Sequence, residues 1–366
     1  LKAKVTGLEG IVAADTEIGY VNGAEGKLVY RGYWAKDLAI RHTFEEAAYL
    51  LWYGELPDDS ALRSLREQLK AHRILQPELK RLLDAMPKGT PMMNVLMAAV
   101  ASLAEEDSEW PPKAEQAIRL TAQLPAIIAY RYRKVNGLPW LEPNEDCGHA
   151  DYYLQLLFGH RPAEAHVRAL NAYMILAMEH GLNASTFAAR VVSSTESDLY
   201  AAVCAAIGAM KGPLHGGAPS GVIKLLEDIG EKERAEPHMR GNLEKGERLM
   251  GFGHRIYKTP DPRAEALRDV TAALSGDDPW LGLARHAERT AIRLLAEYKP
   301  ERKLHTNVEF YAAAVMRAVQ MPPQLFTPTF TAARVVGWTA HILEQAQINR
   351  IYRPQSVYVG AMPVEG

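Results

Sequence analysis

Over most of the chain, apolar residues recur at spacings of three and four between polar, glycine or proline breaks, the pattern of successive amphipathic helices. The exception lies near the start. Residues 18–21 and 28–30 flank a turn containing Asn22-Gly23 and Gly26, which predicts a small β-hairpin. From there the pattern is helical. Thr43 and Glu46 form a capping box ahead of Ala47, Leu50 and Leu51, and Gly54 with Pro57 stops that helix. Asp58 or Asp59 caps the next, and Pro77 opens another that Pro87 closes. A longer helix is expected over 113–136, with Gly137 as its cap and Pro125 kinking it. Residues 162–181 read as one helix, Asn183 begins a second, and 199–210 form an alanine-rich third. Small residues on these faces suit close helix packing, in a core or at a subunit interface. Beyond Gly212-Pro213, helices are expected over 219–229, 231–249, 262–274, 280–298 and 308–319. Met321-Pro322-Pro323 ends that region, and a last helix over 331–347 leads into a tail containing Tyr352-Arg353-Pro354. No repeat or long linker separates the two regions, so they join through tight loops near 211–217 and 321–326.

Composition narrows the function. With 366 residues, 48% of them hydrophobic, the chain can bury a large core, and its length suggests two domains. Its 42 Lys+Arg against 44 Asp+Glu, a net charge of -2, argue against general nucleic-acid or membrane-surface binding. Cys147 and Cys204 form no CxxC, so neither a disulfide framework nor a zinc site is indicated, and a reducing cytoplasm fits. No apolar run approaches the ~20 residues of a membrane span. The opening Leu1-Lys2-Ala3-Lys4 has no apolar signal core, so no export segment is expected.

Candidate chemistry concentrates between Gly251 and Arg263. Two glycines flank Phe252 and give a reactant close access to His254. Asp261 and Pro262 then suit the N-cap and first position of a helix, so Arg263 falls in its first turn, a favourable place to hold a carboxylate or phosphate. His215, between Gly212-Pro213 and a helix that Pro219 can start, could remain neutral at the positive helix end and donate to a carbonyl oxygen gaining charge; a turn histidine with no such role has the same pattern. Asn307 caps another helix with Glu309 in its first turn, a position that keeps a carboxylate ionised whether as a base or as a helix-stabilising acid. Arg334, on an apolar helix face, needs an internal acid or a ligand anion. The pair Gly251-x-Gly253 does not make a dinucleotide fingerprint, because Ile256 stands where the third glycine belongs and no strand precedes it. His149 and Asp151 alone are too few for a metal site.

These motifs together resemble the citrate synthase family along essentially the whole chain, and are similar to its short bacterial forms from Bacillus-like organisms. The signature built on Gly-x-Gly-His and ending in Asp-Pro-Arg is met from Gly251 to Arg263. Gly212-Pro-Leu-His215-Gly-Gly217, Glu179-His180-Gly-Leu-Asn-Ala-Ser185-Thr and Asn307-Val-Glu309-Phe-Tyr311 follow the family's order. The resemblance implies a mainly α, two-domain multi-helical fold with a small N-terminal β-hairpin. It implies a large domain of 1–215 and 321–366 and a small domain of 216–320.

It also implies condensation of acetyl-CoA with oxaloacetate and water to citrate and CoA, through an enol(ate) and a citryl-CoA intermediate. By position, His215 corresponds to the histidine on the thioester oxygen and His254 to the one that polarises the ketone. Glu309 stands where the family has its catalytic aspartate. His180, Arg263 and Arg334 match the residues holding substrate carboxylates, and Lys258 a position facing CoA phosphate. Arg353 matches an arginine donated across a homodimer into the neighbouring site. The expectation is no metal and no tightly bound cofactor, with the coenzyme A thioester as co-substrate. The chain departs from the family pattern at Glu309, at Pro219, where many members have Asn, and at Ala177, where many have a second histidine. Two alternatives stay open: a 2-methylcitrate synthase using propionyl-CoA, and a catalytically weakened homologue kept for regulation or binding, which Glu309 motivates. One methylene in an acyl pocket is worth only about 1 to 3 kcal/mol, too little to separate the first from sequence.

Overall fold

The computed structural model describes residues 6–8, 10–104, 110–141, 146–216, 219–254, 256–274 and 279–363. The predicted hairpin is present as β1 (Gly19–Asn22) paired antiparallel with β2 (Lys27–Tyr30), with Tyr20 opposite Val29. A third strand that the sequence reading missed, β3 (Tyr33–Trp34), pairs with β2. The rest of the regular structure is essentially helical. In chain order come α1 (Ala35–Arg41), α2 (Phe44–Tyr53), α3 (Asp59–His72), α4 (Pro77–Ala85), α5 (Met92–Ser102), α6 (Ala114–Val135), α7 (His149–Phe158) and α8 (Glu164–Met178). They continue with α9 (Ala184–Ser193), α10 (Leu199–Met210), α11 (Ser220–Ile229), α12 (Lys232–Glu244), α13 (Pro262–Leu274), α14 (Pro279–Tyr298), α15 (Val308–Ala318) and α16 (Phe326–Gln347).

The caps explain most of these boundaries. Thr43 and Glu46 make the capping box of α2, and Gly54 ends it in the left-handed conformation. Asp58, Asn183 and Asp198 each accept a backbone N–H at the start of their helices. The helix α6 is continuous through Pro125. Helix α12 stops short of the expected 249 because Gly246, at φ 78°, follows its last turn. Conversely, α16 begins five residues before the expected 331. Pro328 lies in its first turn, where backbone N–H groups have no intrahelical acceptor to lose.

Helix α16 is buried along nearly its whole length and packs on α2, α6, α8, α9 and α10. Arg334, Trp338 and His341 recur on it at steps of four and three, so they share one face. The C-terminal end of α8 meets the small sheet. The Tyr30 hydroxyl lies 3.0, 3.2 and 2.9 Å from the carbonyl oxygens of Ile175, Leu176 and Glu179, groups the helix end leaves without helical partners. The expected continuation to residue 181 therefore gives way to a turn at Glu179, and that turn presents His180. The hairpin also grips the other side of the site, since Gly23 accepts the backbone N–H of Lys258 at 2.9 Å. A Cβ at Gly23 would lie 2.0 Å from the Ile256 carbonyl oxygen.

Candidate active site

His254, Arg263 and Glu309 belong to one stiff unit. Gly251 and Gly253 adopt φ of 89° and 82°, a left-handed conformation that disfavours other side chains. The loop they shape pairs with the segment before α15. Gly253 N–H donates to the His305 carbonyl at 2.8 Å, Asn307 N–H to that of Gly251 at 2.9 Å, and the Asn307 side-chain amide to that of Gly253 at 2.9 Å. Asn307 also caps α15 by accepting the N–H of Glu309 at 3.0 Å. Asp261 completes the unit from a fully buried position. One of its oxygens accepts from the backbone N–H and Nε of Arg263, both at 3.0 Å; the other accepts from Arg263 Nη2 at 2.9 Å and Val308 N–H at 3.1 Å. Asp261 thus serves the starts of both α13 and α15. Arg263, which the sequence reading left available at its helix end, is in fact paired and held flat by this carboxylate.

The hydrogen bonds of His254 fix its proton. Its Nδ1 accepts from the backbone N–H groups of Ile256 at 3.0 Å and Tyr257 at 3.2 Å, so the ring hydrogen resides on Nε2. Nε2 lies 3.1 Å from Arg263 Nη2, which also carries hydrogen. Two donors therefore converge with no acceptor between them, the arrangement that an incoming carbonyl or carboxylate oxygen satisfies. Burial, and after it the Arg263 charge, push the pKa of His254 down to about 4, so the ring is neutral at pH 7.

The facing wall comes from α8, α9 and α16. His180 Nε2 is 3.1 Å from the Tyr257 hydroxyl. Burial, then the charges of Arg263 and Arg334, hold His180 well below the ordinary histidine range. His215 Nε2 lies 2.6 Å from Ser185 Oγ, which accepts the Trp338 indole N–H at 3.0 Å and stands 2.8 Å from Asn183 Oδ1. Burial and then Arg334 lower His215 to about 4. The ring is neutral as expected, but burial and Ser185 set its state and orientation where the sequence reading invoked the end of α11. Arg334, 2% exposed, donates Nε to the Ala177 carbonyl at 2.5 Å and lies over the Phe330 ring at 4.8 Å. It forms no ion pair with an acid among the described residues, so the internal Glu considered from sequence is not bonded to it.

These walls enclose a cavity of about 190 Å³ lined by His180, His215, His254, Arg263, Glu309 and Arg334, with Ala177, Pro219 and Ala312 beside them. Burial raises the Glu309 carboxyl to about 6, against the opposing pull of Arg263. The helix start alone was expected to keep this acid low. Desolvation outweighs it, and the result is a carboxylate that is ionised at pH 7 yet basic enough to take a proton. Arg353 and Lys258 do not line the cavity; both are exposed, and the Lys258 charge helps depress His254. Gly217 and Arg255, members of the sequence motifs, lie outside the described residues.

Sequence reasoning assigned no role to Ser185, Trp338 or Tyr257 and saw Asn183 and Asp261 only as helix starts. Ser185 and Asp261 stood inside the quoted motifs; Trp338 offered no signal beyond its four-residue spacing from Arg334. A larger cavity of about 770 Å³ opens among α1, α3, α7, α8 and α13. Its lining mixes both charge signs, with Lys70 paired to Asp146 and Arg168 to Glu164. His149 in its wall stacks on Phe44 at 4.1 Å, and Asp151 accepts from Gln155. Among the described residues no group of three metal-binding side chains occurs.

Comparison with known proteins points to one family. Residues 7–355 match the family model described as citrate synthase, C-terminal domain. The chain is 42% identical to citrate synthase 2 of Bacillus subtilis over 363 residues, which is 97% of this chain and 95% of the relative. It is 38% identical to a 2-methylcitrate synthase of Shewanella oneidensis, over 98% and 95% of the two chains. Among solved structures, a citrate synthase of Thermoplasma acidophilum in ternary complex with carboxymethyl coenzyme A and oxaloacetate superposes with a TM-score of 0.89 at 31% identity, covering 98% of this chain and 97% of that one. With the matching motifs gathered around one cavity and the likeness running from end to end, the chain belongs to the citrate synthase family.

Proposed function

We propose that the protein condenses acetyl-CoA with oxaloacetate and water to give citrate and CoA. The observation that carries this reading is Glu309, a half-buried carboxylate held near 6, in one cavity with three neutral histidines and two buried arginines. Glu309 removes a methyl proton from acetyl-CoA. That carbon acid is very weak, so the enolate oxygen must be stabilised as charge develops. His215, a neutral ring on the cavity wall oriented by its contact with Ser185, supplies this stabilisation. The converging donors of His254 and Arg263 take the ketone oxygen of oxaloacetate, and His180 and Arg334 hold its carboxylates. The enol carbon then bonds to the ketone carbon, the ketone oxygen gains a proton, and water cleaves the citryl thioester to release CoA.

The family's ternary complex with a CoA analogue and oxaloacetate supports the same pair of ligands here. In this reading residues 1–215 and 321–366 form the large domain and 216–320 the small one, which closes over oxaloacetate before acetyl-CoA reacts. The active unit is a cytoplasmic homodimer in which Arg353 enters the partner's site, and Lys258 faces a CoA phosphate. A second reading, 2-methylcitrate synthesis from propionyl-CoA, draws on the 38% identical relative of that name and on the small side chains of Ala177 and Ala312 beside the cavity. Release of free CoA from acetyl-CoA and from propionyl-CoA, each with oxaloacetate, tests both. A higher kcat/KM with acetyl-CoA is expected; a preference for propionyl-CoA supports the second reading, and no oxaloacetate-dependent release with either refutes both.

A further inference from the structure

Behind the carboxylate end of the cavity runs a line of buried charge that the proposed reaction does not use directly. His341 is completely enclosed on the same face of α16 as Arg334 and Trp338. Its Nδ1 accepts from Arg190 Nε at 3.0 Å and Arg190 Nη2 at 2.9 Å. An arginine only donates, so the ring proton must sit on Nε2, and Nε2 lies 3.0 Å from Glu179 Oε2. The other Glu179 oxygen accepts the Gly181 N–H at 2.5 Å. Arg190 is anchored in turn by Gln345 Oε1 at 2.9 Å and by a close ion pair with Glu344, whose second oxygen accepts the backbone N–H of Glu17 at 2.8 Å. The line therefore begins at Glu344 and ends at Glu179, immediately before His180.

Its purpose follows from Arg334. This guanidinium is buried and makes no ion pair with an acid among the described residues, so its charge needs compensation through space. Glu179 supplies it, but Glu179 is itself fully buried and would take up a proton without donors. The groups bonded to Glu179 are His341 from α16, the Tyr30 hydroxyl from β2 at its backbone carbonyl, and the Gly181 N–H, while the Arg334 charge acts on it through space. Burial pushes the Glu179 carboxyl up, and His341, Arg334 and Gly181 together outweigh that push, leaving it below the ordinary value.

We propose that His341 is a positioning residue: Arg190 locks its proton onto Nε2, Nε2–H holds Glu179 as a carboxylate, and Glu179 keeps Arg334 charged and placed to receive a carboxylate of oxaloacetate. The inference rests on the substrate reading above, and the same variants test the charge line without it. His341→Gln can reproduce both bonds, accepting from Arg190 through Oε1 and donating to Glu179 through its amide; His341→Leu can make neither. Oxaloacetate binding measured by calorimetry without acetyl-CoA should weaken at least tenfold in His341→Leu, stay within threefold of the parent in His341→Gln, and leave CoA binding unchanged within twofold in both. Thermal midpoints supply the independent arm. Relative to His341→Gln, the His341→Leu protein should lose progressively more as pH rises from 5 to 8, because its Glu179 resists ionising where it is buried. Equal oxaloacetate binding in the two variants, or a midpoint difference that is the same at every pH, overturns the proposal. If the parent does not bind oxaloacetate, the substrate reading fails while the midpoints still judge the line. Should His341→Leu not fold, Glu179→Gln carries the test through the same tenfold loss, and unchanged binding refutes it.

Discussion

Replacing Glu309 by Gln keeps the shape of the side chain and removes its basicity, so it separates a catalytic base from a first-turn acid that merely steadies α15. The folded-state carboxyl is raised from 4.5 to about 6 by burial. Because it is raised, the ionised form is the disfavoured one in the folded protein. The stability cost is absent below the unfolded value near 4.5, grows as pH rises through the folded value near 6, and is fully present above it. The size is about 2 kcal/mol, from 1.36 kcal/mol for each pH unit of displacement. Glu309→Gln should thus melt about 2 to 3 °C higher than the parent at pH 8, a shift of that size following from the unfolding entropy of a chain this long. The two should melt together at pH 4.5. The same substitution should abolish condensation and the exchange of acetyl-CoA methyl protons with solvent, while oxaloacetate binds nearly as before. In the parent, the acid limb of kcat/KM for acetyl-CoA should rise through pH 6 and level off above 7, since His215 and His254 have already lost their protons near 4. Near-normal condensation by Glu309→Gln, whatever its melting point, would refute the base assignment.

Other outcomes follow from the same geometry. Glu309→Asp withdraws the carboxylate by roughly one C–C bond, ~1.5 Å. The start of α15 is pinned by Gly251, Gly253 and Asp261 and cannot advance, so a slowing of about 100-fold is expected; turnover faster than the parent would show a site still shaped for the shorter acid. Arg263→Ala should cost oxaloacetate about 10- to 150-fold in affinity, the worth of one charge-assisted hydrogen bond, with a much smaller change for acetyl-CoA; equal losses would mark Arg263 as structural only. Mixing inactive Arg353→Ala and His254→Ala chains should restore part of the activity if Arg353 serves the partner's site, and no recovery after verified subunit exchange would contradict that placement. Gly23→Ala forces a Cβ against the Ile256 carbonyl and should destabilise the protein by about 1 to 3 kcal/mol in chemical denaturation; an unchanged midpoint would show that the hairpin does not clamp the His254 loop.

Much of this architecture was legible because its signals are local. Thr43 with Glu46, Asp58, Asn183 and Asn307 are caps whose chemistry is complete within four residues, and the structure uses each as expected. Helices α1, α5 and α7 were missed because their first residues offer no side-chain cap bond, and tertiary burial of Leu38, Leu96 and Tyr153 carries them. In the site, His180, His215, His254, Arg263, Glu309 and Arg334 line one cavity, whereas Lys258 and Arg353 do not. What sequence could not give was environment: Glu309 lifted by desolvation, His254 with its proton fixed by two backbone N–H groups, and Asp261 joining the start of its own helix to Val308, 47 residues further on. Those are properties of what a side chain meets after folding, and no spacing encodes them.

The condensation itself is tested most directly by product stoichiometry with acetyl-CoA labelled in both acetyl carbons. The parent protein should release CoA and form citrate in equal amounts, every citrate carrying both labelled carbons, and neither product should form without oxaloacetate. Release of CoA with labelled acetate in place of citrate would contradict the account, because it would show that the cavity hydrolyses the thioester without forming the carbon–carbon bond.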